Sequence, residues 1–332
     1  MGLIFNQINI KIKRMGIIKK ILPEVKENVS LNSQTTFKIG GPAKYFFVAK
    51  DKKGIIKAIK AAKEFKLPFF ILGSGSNVLV SDKGYDGLVI KMQNPEIKVQ
   101  GINICADAGA LVRKVTDVAV ENNLTGFEWA SGIPGTIGAA IYGNIGAFGS
   151  TMAGNIKSVE FVDIRNWKIK RCTIKECKFD NKNSIFKVNK NLIILSAIIK
   201  LEKGEREEIS REIKRFLEYR KNNHPLEFPS AGCVFKNYDK KITNKNLLKK
   251  YPELIEFNKG SRIPTSYLID KAGLKGKTIG GAKISEKHAN FIINTGAAKA
   301  EDVVKLIKIM KKGVKNKFGI VLQEEIQHLP SR

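Results

Sequence analysis

The apolar residues of the chain fall into short extended runs and helical stripes. Tyr45-Phe46-Phe47-Val48 predicts a strand. Across residues 54–65, Ile55, Ile56, Ile59, Ala62 and Phe65 share one helical face, and Pro68-Phe69-Phe70-Ile71-Leu72 predicts the next strand. Val78-Leu79-Val80 and Gly87-Leu88-Val89-Ile90 predict two more. Over residues 110–122, Leu111, Val115, Val118 and Ala119 form the inward stripe of a second amphipathic helix. Residues 158–163 and 192–200 read as strands returning to the first sheet. A charged helix is expected at 207–221 and a short one at 267–272. Residues 289–293 read as a strand. In 300–317 the inward residues of a long helix are Val303, Val304, Ile307, Met310 and Val314, and a last strand is expected at 319–322.

Two stretches break the pattern. Residues 126–149, "GFEWASGIPGTIGAAIYGNIGAFG", contain seven glycines. Each adds backbone entropy that folding must remove, so the density argues against a packed helix or regular strand. It suits backbone lying against a flat or anionic ligand. The other stretch, residues 73–80, is "GSGSNVLV". A triphosphate-binding P-loop needs Lys followed by Ser or Thr where Asn77-Val78 stand, which excludes it. A dinucleotide fingerprint leads into a helix, whereas Val78-Leu79-Val80 is strand-like. What remains is a strand, a turn of bare amides with the Ser74 and Ser76 hydroxyls, and a strand, able to hold a diphosphate without a helix dipole. An ordinary serine-glycine hairpin is the alternative.

Composition narrows the classes. The chain has 332 residues, 43% of them hydrophobic, enough for two or three domains with their own cores. Its net charge of +28 raises nucleic acid, anionic membrane or polyanionic small molecules as partners. The lysines are dispersed among Ile and Asn, however, and no block interleaves cations with aromatics as a stacking platform requires. They read as a solvated surface that can also draw in anionic substrates. Four cysteines, at 105, 172, 177 and 233, form no CxxC pair and no zinc spacing, so a reducing compartment and no metal are expected. The Ile-rich N-terminus is broken by Lys11, Lys13, Arg14, Lys19 and Lys20, which argues against a membrane span, and it lacks the features of a signal peptide. A cytoplasmic monomer is the expectation, with Met15 as an alternative start.

Six motifs together resemble one family. They are "TTFKIGGPA" (35–43), "ILGSGSNVLVSD" (71–82), "GIPGTIGAAIYGNIGAFG" (132–149), "SAGCVFKN" (230–237), "LIDKAGLKG" (268–276) and "KHANFIIN" (287–294). In this order and spacing they resemble the UDP-N-acetylenolpyruvoylglucosamine reductase (MurB) family, over roughly residues 30–326. The resemblance implies an α+β protein. Its FAD-binding domain would have the p-cresol methylhydroxylase-like (vanillyl-alcohol oxidase) fold, with two subdomains over 31–203. A lead-in of residues 1–30 precedes it, and an α/β substrate-binding domain over 204–332 follows.

The implied reaction reduces the enolpyruvyl ether of a UDP-sugar to a lactyl ether, using FAD and NADPH. Gly73, Ser74, Gly75, Ser76 and Asn77 would hold the cofactor's diphosphate. Ser131, Gly132, Ile133, Gly135, Thr136, Gly138 and Ala139 would line its other side. Cys233 would donate the proton, since an ordinary thiol is protonated at neutral pH. Its bland reading is a buried structural cysteine. Glu325 would orient or polarise the enolpyruvyl group, or else be a surface carboxylate. Asn237, Lys236 and His288 would contact the substrate, with Lys236 alternatively solvated.

One departure stands out in "CKFDNKNSIFK" (177–187), where the family's Tyr-Arg pair is replaced by Asn181-Lys182. Lys182 supplies a charge for the developing enolate but not the arginine's planar fork. A weakened relative is therefore one alternative. Another FAD oxidoreductase of the same fold is a second, and a colourless, nucleic-acid-binding protein a third. In its short link 187–192 the chain resembles the branch of the family lacking an extra tyrosine-bearing loop.

Overall fold

In the computed structural model, residues 18–260 and 262–330 are described; the alternative start Met15 lies outside them. The chain forms two compact units. The first takes residues up to 29, 42–74 and 85–219; the second takes 30–41, 75–84 and everything from 220 onward. The stretches 30–41 and 75–84, expected in the cofactor domain, thus join the C-terminal part, and the division falls within the helix Arg206–Asn223.

The first unit begins as the sequence pattern predicts. Strands Pro42–Ala49, Phe69–Leu72 and Tyr85–Met92 run parallel with Tyr85–Met92 in the centre, and Lys26–Ser30 forms the edge beside Pro42–Ala49. Parallel neighbours require a crossover, and the helix Lys52–Glu64 provides it. Asp51 starts that helix, its Oδ1 accepting the Gly54 amide at 2.6 Å, and Ile55, Ala58, Ile59 and Ala62 are its buried stripe. Leu88, Val89 and Ile90 are fully buried, as expected of a strand covered on both faces.

The strands observed at Ile156–Asp163 and Leu192–Lys200 do not return to this sheet. They form a second, antiparallel sheet in the order Lys168–Thr173, Ile156–Asp163, Leu192–Lys200, Asn103–Asp107, Ile97–Gln100. The hairpin over 97–107 supplies the partners that local periodicity could not name. The glycine-rich stretch also departs from expectation, because it contains a packed helix, Ile137–Tyr142. Gly138 permits it: a Cβ there would lie 2.8 Å from the Ala108 Cβ and 3.0 Å from its carbonyl oxygen.

In the second unit, Ser230–Cys233, Phe291–Asn294, Ala282–Ile284 and Thr278–Ile279 form an antiparallel sheet in that order. The helix Ala300–Phe318 buries Val303, Leu306, Ile307, Met310, Val314 and Phe318. Gly319, left-handed at φ 72°, ends it, and residues 319–322 continue irregularly instead of forming the expected strand. The C-terminal strand is Gln327–Leu329, which pairs in parallel with Val78–Val80. The loop 73–77 therefore does not close a hairpin. Phe69–Leu72 before it and Val78–Val80 after it belong to different sheets, which removes the serine-glycine hairpin reading.

Candidate active site

In the first unit, Gly73 follows its strand directly against the glycine-rich segment. A Cβ on Gly73 would come within 2.6 Å of Thr136 Oγ1 and 3.3 Å of Ala139 Cβ. Thr136 is buried and its hydroxyl caps the helix Ile137–Tyr142. The first amides of that helix are already used: Ile137 N donates to Ala110 O at 2.9 Å and Gly138 N to Ala108 O at 2.8 Å. They are not an anion site, and the segment stands as a wall beside Gly73. Gly132 and Ala139 are exposed on it, Ile133 and Gly135 are half-buried, and Ser131 lies buried beneath.

Lys182 is half-buried at the apex of a four-residue turn, with Asp180 and Asn183 exchanging backbone hydrogen bonds at 3.1 Å. Ser184 Oγ donates to Tyr142 O at 2.9 Å, which ties the turn to the end of the wall helix.

In the second unit three distant motifs meet. Glu325 N donates to Val234 O at 2.8 Å, next to Cys233, and Asn77 Nδ2 donates to Glu325 O at 3.1 Å. Cys233 is half-buried and pairs with Phe291 beside an irregularity in register, with Gly232 left-handed at φ 74°. Bulges of this kind re-aim a side chain. Apart from its own chain neighbours, no atom among the described residues lies within 4 Å of where a Gly232 Cβ would stand. Asn290 fixes Phe235, two residues beyond Cys233, from both sides, accepting from Phe235 N at 3.0 Å and donating to Phe235 O at 2.8 Å.

The Glu324-Glu325 pair divides cleanly. Glu324 is bound by His328 Nε2 and Lys311 Nζ, each at 2.6 Å. Those hydrogen bonds hold its carboxyl at about 2 against the upward push of burial. Its two partners assign Glu324 to the framework. Asn237 is exposed, its oxygen accepting the Thr265 amide at 3.1 Å, so its amide hydrogens are what it offers a ligand. The Lys236 carbonyl takes the Thr265 hydroxyl at 2.6 Å. Asp82, last residue of the "ILGSGSNVLVSD" motif, caps the helix Ala300–Phe318 by accepting the Ala300 and Glu301 amides at 2.9 and 3.2 Å.

His288 stands edge-on to His224, centroids 5.3 Å apart, and to Phe291 at 4.9 Å. Burial pushes both imidazoles down to about 4, with Lys275 adding to it at His288, and His288, Arg220 and Lys287 at His224. Above about pH 6.5 folded and unfolded chains both carry neutral rings. Below it the unfolded chain binds protons that the folded one refuses until about pH 4, so stability falls as pH drops through this window. His224→Phe is expected to remove about 2 kcal/mol of the loss between pH 7 and 5. Urea unfolding at the two pH values measures it, and an unchanged loss would show that His224 is not held neutral.

The residues present suit a flavin cofactor. Asn77 Oδ1 is a buried acceptor without a hydrogen-bond partner among the described residues, and it matches a hydroxyl of the cofactor's sugar-alcohol chain better than a phosphoryl oxygen. The amides of the surrounding turn suit the diphosphate. Among the described residues no cluster of three or more His, Cys, Asp or Glu side chains forms a metal site, and no helix is long and apolar enough to cross a membrane.

The structure thus gathers Asn77, Cys233, Glu325 and His288 in the second unit, with Gly75 and Ser76 in the loop leading to Asn77. Gly73, Ser74, the wall residues and Lys182 lie in the first. Asn144 escaped the sequence reading: its Nδ2 donates to Asp180 O at 3.0 Å, from a residue 36 positions away. Only its setting in the glycine-rich motif could have drawn attention to it.

Comparison with known proteins identifies the family. A family profile described as UDP-N-acetylenolpyruvoylglucosamine reductase, C-terminal domain, matches residues 224–329, and one described as FAD binding domain matches 43–173. The chain is 42% identical over 316 residues to the UDP-N-acetylenolpyruvoylglucosamine reductase of Caldanaerobacter subterraneus subsp. tengcongensis, covering 93% of this chain and 96% of the relative. To the protein of the same name from Caldicellulosiruptor bescii it is 40% identical over 302 residues, covering 90% and 88%. It also resembles the crystal structure of UDP-N-acetylenolpyruvylglucosamine reductase from Thermus caldophilus. The TM-score is 0.72 and the identity 28%, over 91% of this chain and 98% of that one.

Proposed function

Because the chain belongs to the UDP-N-acetylenolpyruvoylglucosamine reductase family, we propose that Cys233, Glu325 and Lys182 carry its chemistry, with residues 73–77 and 131–139 holding the cofactor. The protein is an FAD-dependent oxidoreductase that uses NADPH to reduce UDP-N-acetylglucosamine enolpyruvate to UDP-N-acetylmuramate, in peptidoglycan precursor synthesis. Its fold is the α+β fold of p-cresol methylhydroxylase-like FAD proteins.

Held by residues 73–77 and 131–139, FAD would supply the hydride, taken from NADPH, that the terminal carbon of the enolpyruvyl double bond requires. The carbon beside the carboxylate is then electron-rich and needs a proton. The Cys233 thiol gives it and recovers one from solvent, so hydride and proton together saturate the double bond. Lys182 faces the negative charge that develops on the carboxylate as an enolate. Glu325 orients the group being reduced. The amide hydrogens of Asn237, with Lys236 and the neutral His288 ring, hold the nucleotide-sugar part. The reading extends to a cytoplasmic monomer, since nucleotide-sugar and NADPH are made in the cytoplasm.

The observation that carries this assignment is the pair of hydrogen bonds linking Asn77 to the Glu325 carbonyl and the Glu325 amide to Val234, which joins the cofactor loop, the thiol strand and the backbone that carries the Glu325 carboxylate. A visible spectrum tests the function. The purified protein should be yellow, bleach with NADPH, and recover its colour only when the enolpyruvyl substrate is added. A colourless preparation that binds nucleic acid would overturn it. Bleaching without recovery would point to a different oxidoreductase.

A further inference from the structure

Lys182 adopts φ 54°, in the third place of its turn, a position that favours glycine or asparagine. A lysine there costs on the order of 1–3 kcal/mol and persists only where its surroundings over-determine it. Three side chains do so. Asn144 Nδ2 donates to Asp180 O at 3.0 Å, at the start of the turn. Lys187 Nζ donates to Lys182 O at 2.9 Å, at its apex. Ser184 Oγ, just past its end, donates to Tyr142 O.

Two of these ties end on residues 142–144, immediately after the wall helix Ile137–Tyr142. Asn144 is 7% exposed and itself left-handed at φ 40°, and its Oδ1 accepts the Ala153 amide at 3.1 Å. Its carboxamide is thus used at both ends. A carboxylate of the same shape could keep the bond from Ala153 but could not donate to Asp180.

We propose that Asn144 and Lys187 are positioning residues for the reduction step, holding the turn so that the Lys182 charge is set in place by the segment that lines the cofactor. The proposal rests on the role given to Lys182 above. It explains how a flexible lysine can work where the family has a stiff, planar arginine. The backbone that carries it is fixed at the start, the apex and the end of the turn, which lowers the freedom the lysine has to lose.

The test uses FAD-loaded Asn144→Asp and Lys187→Met, each alone and combined with Lys182→Ala. Hydrogen exchange at the Asp180 and Asn183 amides reads the turn directly, and both should exchange faster in Asn144→Asp and Lys187→Met. Reoxidation of the reduced flavin by the enolpyruvyl substrate should lose roughly 10- to 100-fold in limiting rate, the scale of a misplaced catalytic group. The half-saturating substrate concentration and the flavin reduction by NADPH should stay as in the parent. Lys187→Arg, which keeps a donor, should restore the rate. On a Lys182→Ala background neither substitution should cost anything further.

Faster exchange with an unchanged reoxidation rate would overturn the proposal, as would losses that persist without Lys182. Parental reoxidation in Lys182→Ala alone would instead show that the role of Lys182 is wrong. If Asn144→Asp slowed both half-reactions while Lys187→Met slowed neither, Asn144 would be a support of the cofactor wall only.

Discussion

Cys233→Ala is expected to leave flavin reduction by NADPH near the parental rate while slowing reoxidation by the enolpyruvyl substrate about 10²- to 10⁴-fold, the usual cost of removing a positioned general acid. The asymmetry follows from proton bookkeeping. Taking a hydride from NADPH needs no proton from the protein, whereas saturating the enolpyruvyl double bond needs one at the carbon beside the carboxylate. The Cys233 thiol is its proposed source. Cys233 is half-buried, and the neighbouring backbone is held by Asn290 and by the Glu325 amide. Cys233→Ser should recover much of the rate, since a hydroxyl in that place can also donate. Rapid mixing with NADPH and then with substrate separates the steps. Equal slowing of both would make Cys233 a support of the fold, and no slowing of either would remove it from the mechanism.

What the sequence revealed, and what it hid, follows from the range of the forces involved. The stripe of Ile55, Ile59 and Ala62 and the apolar run Leu88-Val89-Ile90 are local consequences of burial, so the first αβ unit was legible. The strand Lys168–Thr173 was not. It is an edge strand with only Cys172 buried, and its pattern resembles a solvated loop. Residues 158–163 and 192–200 were recognised as strands, but their sheet is decided by pairing with 103–107, which no local periodicity encodes. The helices Lys245–Lys250 and Glu253–Lys259 are too short and too polar to show a stripe.

The candidate site divides in the same way. Cys233 and Asn77 stood out because contiguous motifs carry them. Other parts act at long range: Asp82 caps a helix that starts 218 residues later, and Asn144 braces Lys182 through the carbonyl of Asp180. Glu324 and Glu325 are adjacent and chemically identical in sequence. The binding of Glu324 to Lys311 and His328 marks it as a framework carboxylate, which the sequence could not show.

Gly75→Val is expected to purify with little or no FAD, its affinity for added FAD lowered at least about a hundredfold, which corresponds to roughly 3 kcal/mol. Two effects combine there. Gly75 is left-handed at φ 67°, a conformation that is a severe outlier for a β-branched residue, and a Cβ would lie 2.5 Å from the Gln34 carbonyl oxygen and 2.9 Å from Thr35 Cα. Both obstacles are backbone atoms, and Thr36 N is bonded to Gly75 O at 3.2 Å, so the loop cannot yield without moving Asn77 and the cofactor-facing amides. Gly101→Val is the matched control. Gly101 has φ 62° at the tip of the 97–107 hairpin, with no atom within 4 Å of its would-be Cβ among the described residues, so it imposes similar strain without a clash. That variant should retain FAD even if its unfolding temperature drops. Titration of FAD into both stripped proteins, with thermal melts alongside, separates loss of the cradle from general destabilisation. Equal loss of FAD in the two would assign the effect to stability, and full retention in Gly75→Val would remove residues 73–77 from the cofactor site.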